Sequence, residues 1–376
     1  MRTYEVAIIG AGVAGTSLAY VLARRGLADV VVLEAELGPA AHASGRSART
    51  LLELDPNPTV QALKVAGARF LRDPPADFSD RALLDRKGAM LLLDGREWRQ
   101  LAARLPAFER LGVRVIALTP VEVRQRVDVI DRGEIGGAAF LPDDGYIDVD
   151  ALIGGFLGHA RRAGVEVRFD AAVRRISRPR DGLFELETAA GGLRVRRIVD
   201  AAGAWADVVA EMAGAGALGL RPLRRSLGRA CAPDGTDASD WPLVWSDLHR
   251  VYFRSEGSHL LVCPMDEEPS RPCDARARAD VFAEARARLG VLAPALGQVA
   301  FEETWAGLRT FAADGVPVVG ADQRVPGLFW LAGQGGSGIE TAAALAEIAA
   351  DLLIVGATER FDARLLDPAR KRLERA

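Results

Sequence analysis

The sequence predicts a mixed α/β (α+β) fold in which one domain is discontinuous along the chain. Glycine-rich turns between a strand and a helix occur near residues 10, 203 and 335, at both ends and in the middle of the chain. Stretches with a different, alternating strand pattern lie between them. With 376 residues, of which 49% are hydrophobic and 26% charged, the chain is long and apolar enough to build two domains.

Residues 4–34 form a predicted strand–turn–helix–strand unit. Its first half, YEVAIIGAGVAG, is an apolar strand followed by G-x-G-x-x-G, and the next apolar run, DVVVLE, ends at Glu34. Gly10 permits a tight turn, Gly12 lets the backbone approach a pyrophosphate, and Gly15 lets the helix pack close to the strand. The helix N-terminus offers N–H groups to phosphates, and Glu34 is placed to accept hydrogen bonds from ribose hydroxyls and to repel a 2′-phosphate. The unit predicts a dinucleotide site, NAD or FAD, against the alternative of a strand–turn–helix without a ligand.

The remaining elements are predicted from the periodicity of apolar residues. Helical periodicity predicts helices at 14–26, 60–72, 97–111, 118–126 and 150–163. Strands are predicted at 87–94 and 165–170, and then at VRRIS, LFELET and LRVRRIV, which turns at 180–182 and 191–192 connect. The pattern from about residue 220 to residue 315 predicts strands and short loops. The pattern of residues 327–354 predicts a last strand, a glycine turn and a long helix.

The spacing of these elements favours FAD over NAD. A single NAD-binding domain normally occupies one contiguous stretch, whereas here the nucleotide-fold elements are separated by other material. We therefore predict a discontinuous Rossmann-type FAD-binding domain over 1–80, 145–215 and 316–376. An interleaved mixed-sheet substrate-binding domain is predicted over 81–144 and 216–315.

Charge and composition exclude several functions. The net charge of −3 shows no basic footprint for nucleic acid or an anionic membrane, and no apolar run reaches the ~18 residues of a membrane span. A first strand near Tyr4 predicts that no targeting peptide precedes it. The three cysteines and four histidines lack the spacing of a disulfide framework or a metal site. We expect a cytoplasmic protein without metal that acts on a small molecule.

Several segments, taken together, carry a family likeness. They follow one another in the expected order over nearly the whole chain: IIGAGVAG (8–15), HASGRSA (42–48), DPPADF (73–78), AAGAWAD (201–207), RRS (224–226), DWP (240–242), WAGLRTFAADG (305–315) and GQGGSGIET (333–341). In these segments the chain resembles the D-amino-acid oxidase superfamily of FAD-dependent amine oxidoreductases. Within it, the chain is most similar to the bacterial D-arginine and D-amino-acid dehydrogenases.

The resemblance implies which residues hold FAD. The implied contacts to the ADP half, the pyrophosphate, the adenine and the flavin ring are Gly10, Gly12, Gly15, Glu34, Ser44, Gly45, Arg46, Ser47, Ala48, Val173, Ala202, Gly203, Gly333, Gly335, Gly336, Ser337, Gly338 and Ile339. The helix from about Ile339 would direct its positive end at the N1–C2=O edge of the flavin, where reduction places negative charge. No cysteine lies in 301–315 to form a cysteinyl-flavin, so non-covalent FAD is expected. Attachment at His42 is the minor alternative.

For the substrate, the resemblance implies Arg225, Tyr252 and Arg309. An arginine in a dry cleft binds an α-carboxylate through two parallel hydrogen bonds. The alternative interpretation is that each arginine is a solvated surface residue without a role in binding, because arginine almost replaces lysine in this chain. Arg224 could exchange roles with Arg225, and Tyr252 could serve sheet packing alone.

The chain departs from the D-arginine dehydrogenase pattern near the expected substrate. Ala89 stands where that subgroup has a glutamate, Thr50 and Asp55 stand where it has histidine and tyrosine, and Ser337 and Glu340 replace an aromatic residue and a glutamine. Glu53 or Asp55 could restore a negative charge to the pocket, or both could be solvated loop acids. D-arginine itself is therefore not predicted.

The predicted reaction is FAD-dependent oxidative deamination of a D-amino acid, or a related amino acid or amine. Hydride transfer from Cα to flavin N5 would give an imino acid, which water hydrolyses to a 2-oxo acid and ammonia. The alternatives are a flavin-dependent 2-hydroxy acid dehydrogenase, a sarcosine- or glycine-oxidase-like amine oxidase, and a flavoprotein without turnover. The electron acceptor, a quinone or O2, stays open.

Overall fold

The computed structural model describes residues 2–131, 133, 135–179, 182–233 and 235–370. Two sequence predictions fall in part outside the described residues: the turn at 180–182, of which only Gly182 is described, and the end of the predicted FAD-binding domain at 371–376. The α-helices in the described part are α1 (Val13–Arg24), α2 (Pro58–Arg72), α3 (Gly95–Arg110), α4 (Pro120–Arg126), α5 (Val149–Arg162), α6 (Ala206–Met212), α7 (Ala279–Leu292) and α8 (Gly338–Ile354).

The strands divide into three sheets. They are β1 (Thr3–Ile9), β2 (Val30–Leu33), β3 (Thr50–Leu51), β4 (Leu84–Asp85), β5 (Ala89–Leu93), β6 (Ile116–Leu118), β7 (Gly137–Leu141), β8 (Gly145–Ile147), β9 (Glu166–Arg168), β10 (Val173–Ser177), β11 (Phe184–Thr188), β12 (Gly191–Asp200), β13 (Arg221–Cys231), β14 (Leu243–Ser246), β15 (Val251–Glu256), β16 (His259–Cys263), β17 (Glu268–Pro269), β18 (Phe301–Phe311), β19 (Val318–Ala321) and β20 (Leu328–Ala332).

The first sheet is built around parallel strands in the order β20-β12-β1-β2-β9. The strands β10 and β11 extend it as an antiparallel meander on β12, and β19 pairs antiparallel with β20. Along β1 the side chains alternate between two cores, with Val6 and Ile8 in one and Ala7 and Ile9 in the other. The sheet is therefore covered on both faces, as a parallel sheet requires.

The second sheet is mixed. Its strands run in the order β17-β13-β16-β15-β14-β5-β7-β6, with β18 beside β13 along almost its whole length. The pair β14–β5 is parallel and the other pairs are antiparallel. A short third sheet holds β3, β8 and β4. The first sheet draws its strands from three separate stretches of chain and the second from two, which confirms the predicted fold class of interleaved α/β units. The domain boundaries stay a prediction.

The prediction of strands and short loops for residues 220–315 was wrong for one segment. Helix α7 lies there and buries Phe282, Ala285, Leu289 and Leu292. These residues recur at the three- and four-residue spacing of a helix face, but arginine and alanine alternate between them and obscure the periodicity.

The helices α2 and α8 cross at very short distance. A Cβ added at Gly67 of α2 would lie 1.9 Å from the carbonyl oxygen of Glu340 in α8. Only glycine allows this approach, and it brings Lys64, one turn before Gly67, beside the start of α8.

Gly67→Ala is expected to destabilise the protein by about 1–3 kcal/mol, because the added methyl meets backbone that cannot move aside without displacing a helix. Gly154→Ala in α5 is the matched control, since nothing lies within 4 Å of the position of its added methyl. That variant should be neutral or about 0.5–1 kcal/mol more stable. Urea unfolding followed by circular dichroism measures both, and equal effects at the two positions would contradict the close packing.

Two further features concern the helices and the cysteines. Among the described residues, none of the helices has the length and apolar character needed to cross a bilayer. None of the three cysteines, all of them in the described part, forms a disulfide.

Candidate active site

A cavity of about 1260 Å³ lies where the two large sheets meet. Its wall combines the β1–α1 turn, the loop 42–50 and the start of α8 with side chains from β13, β15 and β18. Pockets for drug-sized ligands usually measure about 300–1,000 Å³, so this cavity has room for a dinucleotide together with a small substrate.

The turn between β1 and α1 is shaped for a nucleotide. Gly10 has φ +109°, and a Cβ there would lie 2.5 Å from the carbonyl oxygen of Ala201. A Cβ at Gly15 would lie 2.0 Å from the carbonyl oxygen of Gly10. The N–H of Ala11 donates a 2.7 Å hydrogen bond to the carboxylate of Glu34, which holds that acid on the cavity wall. These contacts keep the turn tight and the acid in reach of a ribose.

Two helices present their N-termini to the cavity, and neither is capped by the side chain of its own N-cap residue. Four other helices, α2 to α5, begin at residues whose side chains accept hydrogen bonds from the first turn: Asn57, Asp94, Thr119 and Asp148. The helices α1 and α8 begin after Gly12 and Ser337, which make no such bond, and their first residues line the cavity. The helices α6 and α7 also lack caps, and α6 lines the cavity through its N-cap residue Trp205 and through Val208, whereas α1 and α8 line it with their first helical residues. Positive helix ends suit a pyrophosphate at one and an electron-rich ring edge at the other.

Most of the predicted cofactor residues come together on this wall. Those that line the cavity are Gly10, Gly12, Glu34, Ser44, Arg46, Ser47, Ala48, Val173, Ala202, Gly203, Gly335, Gly336, Ser337, Gly338 and Ile339. Gly15, in the first turn of α1, is not part of the lining, and neither are Gly45 and Gly333. At Gly203 a Cβ would meet nothing within 4 Å, and at Gly12 it would meet only the Ser44 hydroxyl oxygen, at 3.3 Å. The protein therefore leaves space at these two lining glycines, and the residues present fit a bound FAD, although each individual contact stays a prediction.

The three predicted substrate residues also lie on the cavity wall. The side chain of Arg225 is 7% exposed and Tyr252 is 6% exposed. Burial raises the pKa of the Tyr252 phenol well above its usual range, so the phenol keeps its proton and can donate a hydrogen bond. Its ring stacks on Trp245 at 4.5 Å between centroids, so it serves packing as well. The Arg309 guanidinium lies against Gly336, where a Cβ would be 2.7 Å from its Nη1 atom.

The structure distinguishes Arg225 from its neighbour. Arg225 lines the cavity, whereas Arg224 is not part of the lining and donates to Glu268 at 2.8 Å. The alternation of side chains along β13 accounts for the difference. Arg225 therefore stays the candidate for a substrate carboxylate.

The sequence did not reveal that Glu267 joins the two arginines. Its Oε1 atom accepts hydrogen bonds from Arg225 Nη2 and Arg309 Nη2, each at 2.7 Å. Glu267 follows β16 in a loop and stands 42 residues from each arginine, so no motif connects the three.

A buried ion cluster lies at the start of α8. Lys64 is 6% exposed, and its Nζ atom lies 3.1 Å from Asp55, 3.4 Å from Glu340 and 3.2 Å from the carbonyl oxygen of Leu52. Burial alone would lower the pKa of Lys64, but the carboxylates of Glu340 and Asp55 outweigh it and raise that pKa. Burial raises the pKa of Glu340 in spite of Lys64. The raised pKa keeps Lys64 protonated, and Lys64 is therefore the cation that offsets Glu340 at the start of α8.

Lys64 could have been noticed in the sequence. It is one of three lysines in a chain that otherwise uses arginine, and it falls on the apolar face of α2 between Val60 and Ala68. A lysine on such a face needs an anionic partner.

The structure shows where the positions that depart from the D-arginine dehydrogenase pattern lie. Ala89 is fully buried in the hydrophobic core and is not part of the cavity lining, whereas Thr50 and Asp55 are. The interpretation of Glu53 and Asp55 as solvated loop acids was wrong. Glu53 is 2% exposed and forms an ion pair with Arg72 away from the cavity lining, and Asp55 pairs with Lys64.

One group of possible metal ligands lies outside the cavity. Donor atoms of Cys231, His259 and Glu302 lie within 4.8 Å of one another. Cys231 Sγ donates to Glu302 Oε1 at 3.0 Å, and His259 Nε2 lies 3.0 Å from Glu302 Oε2. Mutual hydrogen bonds account for this group, and the absence of a metal stays a prediction.

The comparison with known families decides the classification. A family model described as FAD dependent oxidoreductase (DAO) matches residues 5–352, nearly the whole chain. The chain belongs to the DAO family of FAD-dependent oxidoreductases. Its cofactor is FAD, as the interleaved elements predicted. The finer likeness to D-arginine and D-amino-acid dehydrogenases stays a prediction.

Several curated members of the DAO family are similar to this chain. Dimethylglycine dehydrogenase, mitochondrial, of Rattus norvegicus is 25% identical over 392 residues, which cover 97% of this chain and 44% of the relative. The 4-methylaminobutanoate oxidase (formaldehyde-forming) of Paenarthrobacter nicotinovorans is 27% identical, with 96% of this chain and 45% of the relative covered. The chain thus spans less than half the length of these two relatives. The FAD-dependent oxidoreductase domain-containing protein 1 of Bos taurus is 27% identical, with 94% of this chain and 81% of the relative covered.

Solved structures share the DAO-family fold. L-proline dehydrogenase from P. horikoshii superposes with a TM-score of 0.88 at 21% identity, covering 98% of both chains. Glycine oxidase from Geobacillus kaustophilus gives a TM-score of 0.85 at 24% identity, covering 98% of this chain and 99% of that one. At these identities the likeness shows the fold alone.

Proposed function

We propose that this DAO-family chain oxidises the Cα–N bond of an amino acid, and that the substrate binds through its carboxylate. The observation that carries the proposal is the pair of guanidiniums on the cavity wall, Arg225 and Arg309, of which Arg309 lies beside the glycine turn at Gly336. Bound FAD would accept a hydride from the substrate there. An acid with an amine on its α-carbon would lie with its carboxylate on the arginines and its C–H bond towards that turn.

The residues of this chain would act by binding and orientation. The arginines would bind the carboxylate, and the protonated phenol of Tyr252 would donate a further hydrogen bond to it. The buried walls of the cavity would exclude bulk water and strengthen these contacts. We assign no protein base, so the amine would lose its proton to solvent before oxidation.

For the substrate, we propose a D-amino acid that is converted to a 2-oxo acid and ammonia. A second candidate is an N-methylated amino acid, and the names of two relatives, dimethylglycine dehydrogenase and 4-methylaminobutanoate oxidase, favour it. Both candidates carry a carboxylate and an oxidisable C–N bond. We further propose a dehydrogenase that uses a quinone-type acceptor, and a cytoplasmic location.

A 2-hydroxy acid dehydrogenase is less well supported. Such an enzyme requires a base for the hydroxyl proton, for which histidine is the usual residue. Of the four histidines, all in the described part, only His42 lines the cavity. Its ring lies 4.7 Å from that of Trp205 and its Nε2 atom lies 2.9 Å from Glu36, near the nucleotide end.

An anaerobic reduction screen tests the proposed function. The FAD-loaded protein is mixed with D-amino acids, L-amino acids, N-methyl amino acids, 2-hydroxy acids and methylamine, and the flavin absorbance is followed. We expect bleaching with amino acids of one of the first three classes and none with methylamine. Bleaching with 2-hydroxy acids alone would assign the alternative reaction, and no bleaching with any compound would contradict an amino-acid oxidoreductase. Exposure of the reduced protein to O2 or to a quinone then identifies the acceptor.

A further inference from the structure

We propose that Glu267 is a specificity-determining carboxylate that occupies the arginine pair in the absence of substrate and that a substrate carboxylate displaces. This inference rests on the proposed function in one respect, the role of Arg225 and Arg309 as the carboxylate site. Glu267 Oε1 accepts from one Nη2 atom of each arginine at 2.7 Å. A substrate carboxylate would require these same donors.

The arginine pair needs an anion at all times. Arg225 is 7% exposed, and a buried guanidinium without a partner would be costly. Glu267 supplies that anion when no substrate is bound. A ligand without a carboxylate cannot replace it, so the exchange selects for acids.

The loop that carries Glu267 is fixed on both sides of it. Asp266 accepts hydrogen bonds from the N–H and the hydroxyl of Ser226 at 2.7 and 2.8 Å. Glu268 binds Arg224 and Arg278 at 2.8 and 3.1 Å. The side chain of Glu267 is 46% exposed and therefore has room to rotate. Displacement thus requires side-chain rotation and no movement of the loop.

A measurable consequence follows from this competition. The apparent affinity for any carboxylate is reduced by the fraction of molecules in which Glu267 occupies the arginines. Removing the charge of Glu267 should therefore tighten carboxylate binding. The affinity for a cation without a carboxylate should not rise.

The test uses acetate and methylammonium as probes on the FAD-loaded protein, at constant ionic strength. Binding is measured by calorimetry and by perturbation of the flavin absorbance. We expect Glu267→Gln to lower the Kd of acetate at least tenfold and to leave methylammonium binding no tighter. Glu267→Asp, which is one methylene too short to bridge both arginines, should shift the acetate Kd in the same direction. Glu268→Gln, at the next position along the chain and the first residue of β17, is the matched control, because Glu268 is not part of the cavity lining, and it should bind acetate like the unmodified protein.

Steady-state kinetics give a second measurement. With a carboxylate substrate, Glu267→Gln should lower KM and leave kcat unchanged, whereas a purely structural role would not separate the two parameters. Flavin content and melting temperature confirm that each variant is folded.

The inference is overturned if both Glu267 variants bind acetate with unchanged or weaker affinity, or if no form of the protein binds it. Acetate binding requires no turnover. Tighter acetate binding combined with a failed reduction screen would therefore reject the proposed function alone. Flavin reduction combined with unchanged acetate binding would reject only the role of Glu267.

Discussion

Arg309→Ala is expected to lower kcat/KM for a carboxylate substrate by about 100- to 10,000-fold, while FAD stays bound. The substitution removes two charge-assisted hydrogen bonds from a guanidinium that is only 21% exposed, at about 1.5–3 kcal/mol each. Each 1.4 kcal/mol corresponds to a factor of ten. The glycine turn beside Arg309 keeps its backbone, so the cofactor should be retained.

Stopped-flow reduction of the flavin and its absorbance spectrum measure the two parts of this expectation. Arg309→Lys keeps the charge without the planar fork and should recover only part of the activity. Arg224→Ala is the matched control from the neighbouring position on β13, because Arg224 pairs with Glu268 and is not part of the cavity lining. If Arg309→Ala and Arg224→Ala had equal kinetics with intact flavin, the assignment of the carboxylate site would be wrong.

Lys64→Met is expected to destabilise the protein by about 3–5 kcal/mol at neutral pH. Removing one partner of a buried ion pair leaves the other charge without compensation, and Glu340 is 7% exposed at the start of α8. Lys87→Met serves as the control. Lys87 pairs with Asp240 at the surface, and its loss should cost about 0–1 kcal/mol. Urea unfolding at pH 7 measures both variants.

The cost of Lys64→Met should depend on pH. Burial raises the pKa of Glu340, and without the lysine that pKa would rise further. Because its pKa is raised, the folded state binds the proton of Glu340 more tightly than the unfolded state does. The resulting stabilisation is complete below the unfolded-state pKa and is lost as the pH rises through the folded-state pKa. The destabilisation should therefore shrink as the pH falls towards the unfolded-state pKa of a glutamate. The double variant with Glu340→Gln should recover much of the loss, and additive losses would contradict a coupled pair.

The nucleotide end of the site could be predicted from the sequence because its determinants are local. Gly10, Gly12 and Gly15 lie at the junction of β1 and α1, and Glu34 directly follows β2. Each residue is required by the backbone geometry of that unit. The fold class was predictable for the same reason, since several such units recur along the chain.

The substrate end could be predicted only in part. Arg225 and Arg309 were found through resemblance to known motifs, but Glu267 belongs to no motif. Its contact with both arginines exists only because β13, β16 and β18 assemble in one sheet. Long-range ion pairs depend on tertiary pairing, which a single sequence does not specify locally. The cluster around Lys64 was missed for the same reason, although a lysine on an apolar helix face indicates that a buried anionic group lies near it.

The interleaving of the two large sheets constrains how this protein can be synthesised. The strand β1 is made before the others and can pair early with β2, but its other neighbour is β12, and β12 in turn pairs with β20 (Leu328–Ala332). The first nucleotide-binding turn therefore leaves the ribosome long before its sheet and the helix α8 exist. Domains usually fold from the N-terminus during translation, and here that order is not available to the first domain. FAD can be captured only when nearly the whole chain has emerged, so the apolar strands of the first unit are made well before their later partners and stay exposed until β20 is synthesised.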